Sequence, residues 1–244
     1  MALHLDDRRL AMLAAMGIPV WRPSPADAAE PLPWPLIPTG LDTTLWALRD
    51  LRAAVRGCRA CELCTERKRP VFGSGSLHAD WMVVGDTPTL AEDTAQEPFV
   101  GDAGILLDNM LRAVGLDRHA DLDVFSSSSG SLRGVFLTHA VKCRPPGDRQ
   151  PTNAEIAQCG DFLHRQMTLI RPKVVLLLGK LAIRSVLKVD PPFGSLREQV
   201  HPLPHAVAVV MYPPGHLIRN PREKAKAWAD LCLAMSAAPI ARKP

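Results

Sequence analysis

Cysteine is the residue type in this chain whose number and spacing most directly imply chemistry. Cys58 and Cys61 form a C-x-x-C, while Cys143 and Cys159 come much later, one after an apolar run and one inside a predicted helix. Thiolates are the soft ligands that zinc and iron–sulfur centres take. Two distant pairs suit one four-ligand centre that ties two parts of a fold together. The spacing alone leaves zinc and an iron–sulfur cluster both open. Cys232, in the predicted terminal helix, reads as a small apolar core residue.

The elements that must position these thiols follow from periodicity. The apolar runs 81–85, 135–141, 174–179 and 206–211 are short, rich in Val or Leu and bounded by turn residues, the pattern of buried parallel strands. Helical patterns lie between them at 104–114, 152–170 and 180–187, with another at 221–235. The second opens on Thr152-Asn153-Ala154-Glu155, a capping box, and closes before Pro172. This alternation predicts an α/β protein, a three-layer α/β/α sandwich around a central four-stranded parallel sheet. A helix from about residue 43 runs into Cys58. Ahead of it lie a short helix over 6–17 and a proline-crowded strap, so the expected organisation is an extension over 1–45, a domain over 46–238 and a tail over 239–244. Ser126-Ser127-Ser128-Ser129-Gly130 reads as a surface loop.

Composition narrows the class. The 244 residues are 47% hydrophobic and 22% charged, ordinary for a packed globular chain. A formal net charge of +4 is permissive for nucleic acid without being diagnostic. The start lacks the cationic and apolar pattern of a secretory signal, and no apolar stretch approaches a membrane span. A cytoplasmic chain without membrane association is the expectation. In that setting six cysteines read as metal ligands or buried thiols rather than disulfides.

Several ordered blocks bear a resemblance. Pro98-Phe99-Val100-Gly101-Asp102-Ala103-Gly104-Ile105-Leu106-Leu107 is similar to a P-F-V-G-x-A-G-x-L-L signature. Val71-Phe72-Gly73-Ser74-Gly75, Val141-Lys142-Cys143-Arg144-Pro145-Pro146 and Leu217-Ile218-Arg219-Asn220-Pro221 are similar to V-F-G-x-G, V-K-C-R-P-P and L-L-R-N-P. Together, over residues 46–238, they resemble the iron–sulfur (family 4) uracil-DNA glycosylases. The resemblance implies a [4Fe-4S] cluster on Cys58, Cys61, Cys143 and Cys159, with zinc the alternative, and leaves Cys64 a free or lining thiol. It also implies DNA as the partner, and base excision by hydrolysis of the N-glycosidic bond of a flipped uracil.

Carried over residue by residue, the resemblance gives Phe99 the role of stacking on the base, with Gly101 and Gly104 allowing close backbone approach. The G-E-x-P-G motif is Gly85-Asp86-Thr87-Pro88-Thr89 here, which places Thr87 at the base and leaves Asp86 or Glu92 to orient an attacking water. Where the family has Asn before V-K-C, this chain has His139, whose ring cannot copy an amide's side-by-side donor and acceptor. Where the family has His-Pro, it has Pro213-Pro214, so His216 three residues on is the remaining histidine of that loop. Leu217 matches the apolar wedge that fills the gap left by a flipped base, and Lys142, Arg144, Arg149 and Arg219 read as phosphate contacts. These departures also admit a catalytically silent DNA-binding relative, or a redox sensor using Cys64. A monomer is expected, with the 1–45 extension as a candidate site for a protein partner.

Overall fold

The computed structural model describes residues 48–120, 132–189 and 192–237. The expectations for the N-terminal helix, the proline strap, the serine loop and the C-terminal tail lie outside them. The elements run α1 (Leu48–Gly57), β1 (Ser74–Gly75), β2 (Trp81–Gly85), α2 (Leu90–Ala95), α3 (Gly101–Ala113), β3 (Leu116–Asp117), β4 (Arg133–His139), α4 (Asn153–Ile170), β5 (Val174–Leu178), α5 (Lys180–Leu187), β6 (Val200–Pro202), β7 (Val207–Met211), α6 (Pro214–Arg219) and α7 (Lys224–Ala237).

The sheet order is β1-β4-β2-β5-β7-β6, with β3 paired to β4. The four predicted strands are its parallel centre, β4-β2-β5-β7. Two short antiparallel strands, β1 and β6, close its sides. Because strand side chains alternate, one sequence run feeds two cores. Met82, Val84, Val175, Leu177 and Val210 face α1, α4 and α5. Trp81, Val83, Leu176, Val209 and Met211 face α3, α6 and α7. The outcome is the expected three-layer α/β sandwich, mixed only at its margins.

Differences lie at element ends. β4 stops at His139, two residues early, yet Ala140 and Val141 still donate backbone bonds to Gly85 and Asp86, so the chain leaves the sheet beside β2. The helix expected at 104 begins at Gly101. The terminal helix begins as a 3-10 turn at Pro221 before α7 proper. α2 carries a second capping box, Thr89 with Glu92, which matches the same S/T-x-x-E pattern as Thr152 with Glu155. Cys232 is exposed, contrary to the core role expected of it, because α7 buries Ala227, Leu231 and Ala234 on its other side.

The chain runs from β2 to β4 across one face, then from β4 to β5 across the other. β2 and β5 therefore flank the point where crossover direction reverses. Ligand crevices in such sheets open there, at the strands' carboxyl ends.

Candidate functional site

Two groups of residues assemble at those ends. The first is thiol. Cys58 and Cys61 follow α1, Cys143 follows β4, and Cys159 projects from α4; all four, with Cys64, line one cavity. The Arg67 guanidinium donates to Cys143 Sγ at 2.6 Å and to the Cys58 carbonyl, and the Lys142 backbone N–H donates to Cys159 Sγ at 3.2 Å. Burial pushes the Cys143 thiol up to about 12, with the neighbouring Cys159 and Cys61 adding to the rise and Arg67 opposing it. Burial likewise raises Cys159 and Cys61. Among the described residues no three His, Cys, Asp or Glu groups converge on a point that would hold a single metal ion.

Lys142 was expected on a phosphate, and the structure corrects this. It is 1% exposed. Its ammonium donates to Thr138 Oγ1, the His139 carbonyl and Gln166 Oε1 at 2.6–2.7 Å, and Gln166 in turn donates to the Phe72 carbonyl. Burial pulls its pKa down to about 7 against the opposing pull of Cys159 and Cys143. Among the described residues no carboxylate balances this charge. A lysine at a strand end reads as exposed in the sequence. Here the chain turns inward at Ala140 and carries it into the core.

The second group surrounds Phe99. Gly85 and His139 are register partners on β2 and β4. The Phe99 ring lies 4.8 Å from the His139 ring at 38°. A Cβ on Gly85 would sit 2.5 Å from His139 Nδ1 and 2.8 Å from Phe99 Cζ, so glycine is required for the three to meet. Phe99 itself is held at φ 54. Its N–H donates to Glu92 Oε1 at 2.5 Å, and its carbonyl accepts from Arg118. Gly104 lets that carbonyl sit against α3, where any Cβ would overlap it. Gly101, with φ 66, turns the chain into the helix.

Glu92 is the organiser of this group. Its Oε2 accepts from the Thr89 N–H at 2.6 Å and its Oε1 from Phe99 N–H and His139 Nε2, the last at 3.2 Å. Burial alone would raise its pKa; His139 and the two backbone donors outweigh burial and bring it down to about 2. The carboxylate therefore clamps Phe99 and His139. Asp93, beside it, is buried and accepts from the Lys68 and Arg69 backbone N–H groups.

The ionised Glu92 can only accept, so His139 Nε2 carries the proton. Nδ1 is an acceptor wherever the ring carries that proton alone. It is buried and has no partner.

The remaining site residues divide. Asp86 Oδ1 accepts from the Leu181 and Ala182 N–H groups at 2.9 and 3.0 Å, capping α5 across the crevice between β2 and β5. Burial raises its pKa, with those amides and His139 opposing. Thr87 is half-buried in the loop between β2 and α2. The His216 ring stacks on Tyr212 at 4.8 Å and 12°, with Asn220 against its Nδ1. Leu217 is fully buried in the core that also contains Phe99, so it is no exposed wedge; α6 turns Ile218, 42% exposed, to the surface in its place. Arg144 pairs with Asp148 at 2.8 Å, Arg149 grips Glu155 with both nitrogens, and Arg219 is exposed.

Residues 72–232 match the Uracil DNA glycosylase superfamily. The chain belongs to that superfamily. Among its superfamily relatives, the type-4 uracil-DNA glycosylase of Archaeoglobus fulgidus is 38% identical over 140 residues, covering 57% of this chain and 63% of the relative. The type-4 uracil-DNA glycosylase of Thermotoga maritima is 39% identical over 129 residues, 53% and 60%. The type-5 uracil-DNA glycosylase of Thermus thermophilus is 30% identical over 196 residues, 70% and 85%. The chain thus spans about six-tenths of the length of the type-4 relatives. The superfamily match starts at Phe72, after the C-x-x-C pair and before every residue of the Phe99 group. No helix among the described residues is long and apolar enough to cross a membrane.

Proposed function

We propose that this protein is a uracil-DNA glycosylase-type hydrolase that takes a flipped base against Phe99 and His139. The observation that carries this reading is the unpartnered, buried Nδ1 of His139, whose tautomer Glu92 sets. An acceptor beside an aromatic face suits the N3–H of uracil, which is itself a donor flanked by carbonyls. As the glycosidic bond breaks, the sugar gains positive charge and the base leaves as an anion. Glu92 is fully engaged in positioning, so Asp86 is the acid assigned to orient the water. His216, stacked on Tyr212, is the loop's remaining group for the departing base, and Ile218 takes the wedge role in place of Leu217. Arg144 and Arg219 are assigned to phosphates.

The test is strand scission after alkali on uracil-containing DNA. Scission above a no-enzyme background, reduced at least tenfold by Phe99→Ala, supports the reading. Absence of scission with retained DNA binding favours the second reading, a silent binder. One observation favours that alternative: the His139 ring lies over the Phe99 face on which a base would stack.

The four cysteines are proposed to hold a [4Fe-4S] cluster. The donor set is all thiolate, and the cavity wall carries a buried ammonium and a guanidinium that a net negative thiolate centre would balance. When bound, such a cluster supplies a cross-brace between α1, the β4 end and α4. Brown protein containing about four irons per chain supports it, and colourless zinc protein removes it. A cytoplasmic monomer acting on DNA, with its N-terminal extension available to a protein partner, completes the proposal.

A further inference from the structure

The chain's excess charge is not spread over its surface. Between Arg52 and Arg69 lie six basic and two acidic side chains, a formal excess equal to the +4 of the whole protein. The remainder of the sequence is neutral. The six are Arg52, Arg56, Arg59, Arg67, Lys68 and Arg69. Four of them, with Arg67 half-buried behind, line an open trough of about 450 Å³ whose floor includes Cys64. A second depression shares Arg56, Arg69 and Pro70 with the first and continues past Arg52 to Gly73 and Gln96. The two form one cationic path from the thiol cavity to the end of α2, the helix whose Glu92 holds the Phe99 group.

The partners of these cations show what they lack. Arg69 reaches Gln96 Oε1, Lys68 reaches Thr94 Oγ1, and Arg52 lies over the Phe72 ring. None pairs with a carboxylate among the described residues. The backbone beneath is fixed, because Asp93 accepts from the Lys68 and Arg69 N–H groups. Five like charges around one trough, two of them on backbone held by Asp93, repel one another unless an anion lies between them.

We propose that this trough binds the phosphate backbone of a nucleic-acid strand and leads it to the Phe99 group. The inference rests on the glycosylase reading for the direction of the strand, but not for the binding. The ligand chemistry is a run of singly charged phosphates, and the contacts carry no base information.

The experiment measures binding of a fluorescent thymine-only single strand, which cannot be excised, across a salt series. Each lost phosphate contact on single-stranded DNA lowers the slope of log affinity against log salt by about 0.7. Arg56→Gln/Arg59→Gln/Lys68→Gln should lower it by about 2 and weaken low-salt binding about tenfold or more. Arg56→Lys/Arg59→Lys should restore the slope, which guards against a folding artefact. An unchanged slope in the Gln variant overturns the trough while leaving uracil excision by the wild type to stand or fall separately. A slope that falls in a protein that excises nothing supports the trough and removes the glycosylase reading. Tripolyphosphate bound by the wild type as tightly as the strand would reassign the trough to small polyanions.

Discussion

The thiol cavity and the Phe99 group sit at the same end of one sheet and are built on opposite principles. Around the cysteines, a guanidinium and a backbone N–H point at sulfur, and among the described residues a buried ammonium has no carboxylate to balance it. Around Phe99, the polar groups point at one another: Glu92 satisfies Thr89, Phe99 and His139, leaving one ring nitrogen over. The first region presents a guanidinium and a backbone N–H to its sulfurs. The second is almost self-sufficient, and its departures from the family pattern at His139 and Thr89 fall there. The two regions draw on different side chains, so each can be perturbed while the other is measured.

The largest effect that sharpens this contrast is expected at the thiols. Cys143→Ser or Cys159→Ser should abolish iron content and lower thermal stability, while neither touches the Phe99 group. Full iron in either variant, measured by chelation assay, would break the comparison on its first side. Next is Phe99→Ala, where loss of the stacking face should cost at least tenfold in excision with iron content unchanged. Leu217→Ala is expected to destabilise by about 3 kcal/mol through a core cavity. Ile218→Ala should leave the melting temperature alone and lower excision. The reverse result would return the wedge to Leu217.

A smaller effect is set by pH. The Glu92 carboxyl is brought down to about 2 in the folded protein from an ordinary 4.5, so its contribution to stability is whole above pH 4.5. It is lost as pH falls from there through about 2. Glu92→Gln should flatten that acid limb in a denaturation series and lower stability at neutral pH. An unchanged acid limb would show that the clamp does not exist in solution. Smallest is Arg144→Gln, whose exposed pair with Asp148 should leave the melting temperature almost unchanged.

What could be read from the chain depended on whether a residue's role was set by its neighbours in sequence. The four central strands are contiguous apolar runs and were legible as such. Thr89-x-x-Glu92 carried the signature of a capping box, but the second and third bonds of Glu92, to Phe99 and His139, cross from one element to others and leave no local mark. Leu217 and Ile218 are adjacent apolar residues, and only the rotation of α6 decides which one is buried. Lys142 is a residue that sequence assigns to a phosphate; it meets Gln166 of α4 because the chain turns inward after β4. Arg118, which holds the carbonyls of Pro98 and Phe99, gave no signal at all.

Gly104 has a reach that its size conceals. It is the vacancy into which the Phe99 carbonyl fits, and that carbonyl is one of two handles on a residue held in the left-handed region. A methyl group at position 104 would lever the peptide outward and strip it from Arg118. Phe99 could then relax toward ordinary backbone angles and let its amide slip from Glu92. The aromatic platform is thus hinged on a helix residue that touches no substrate. Faster hydrogen exchange at the Phe99 amide would be its earliest symptom.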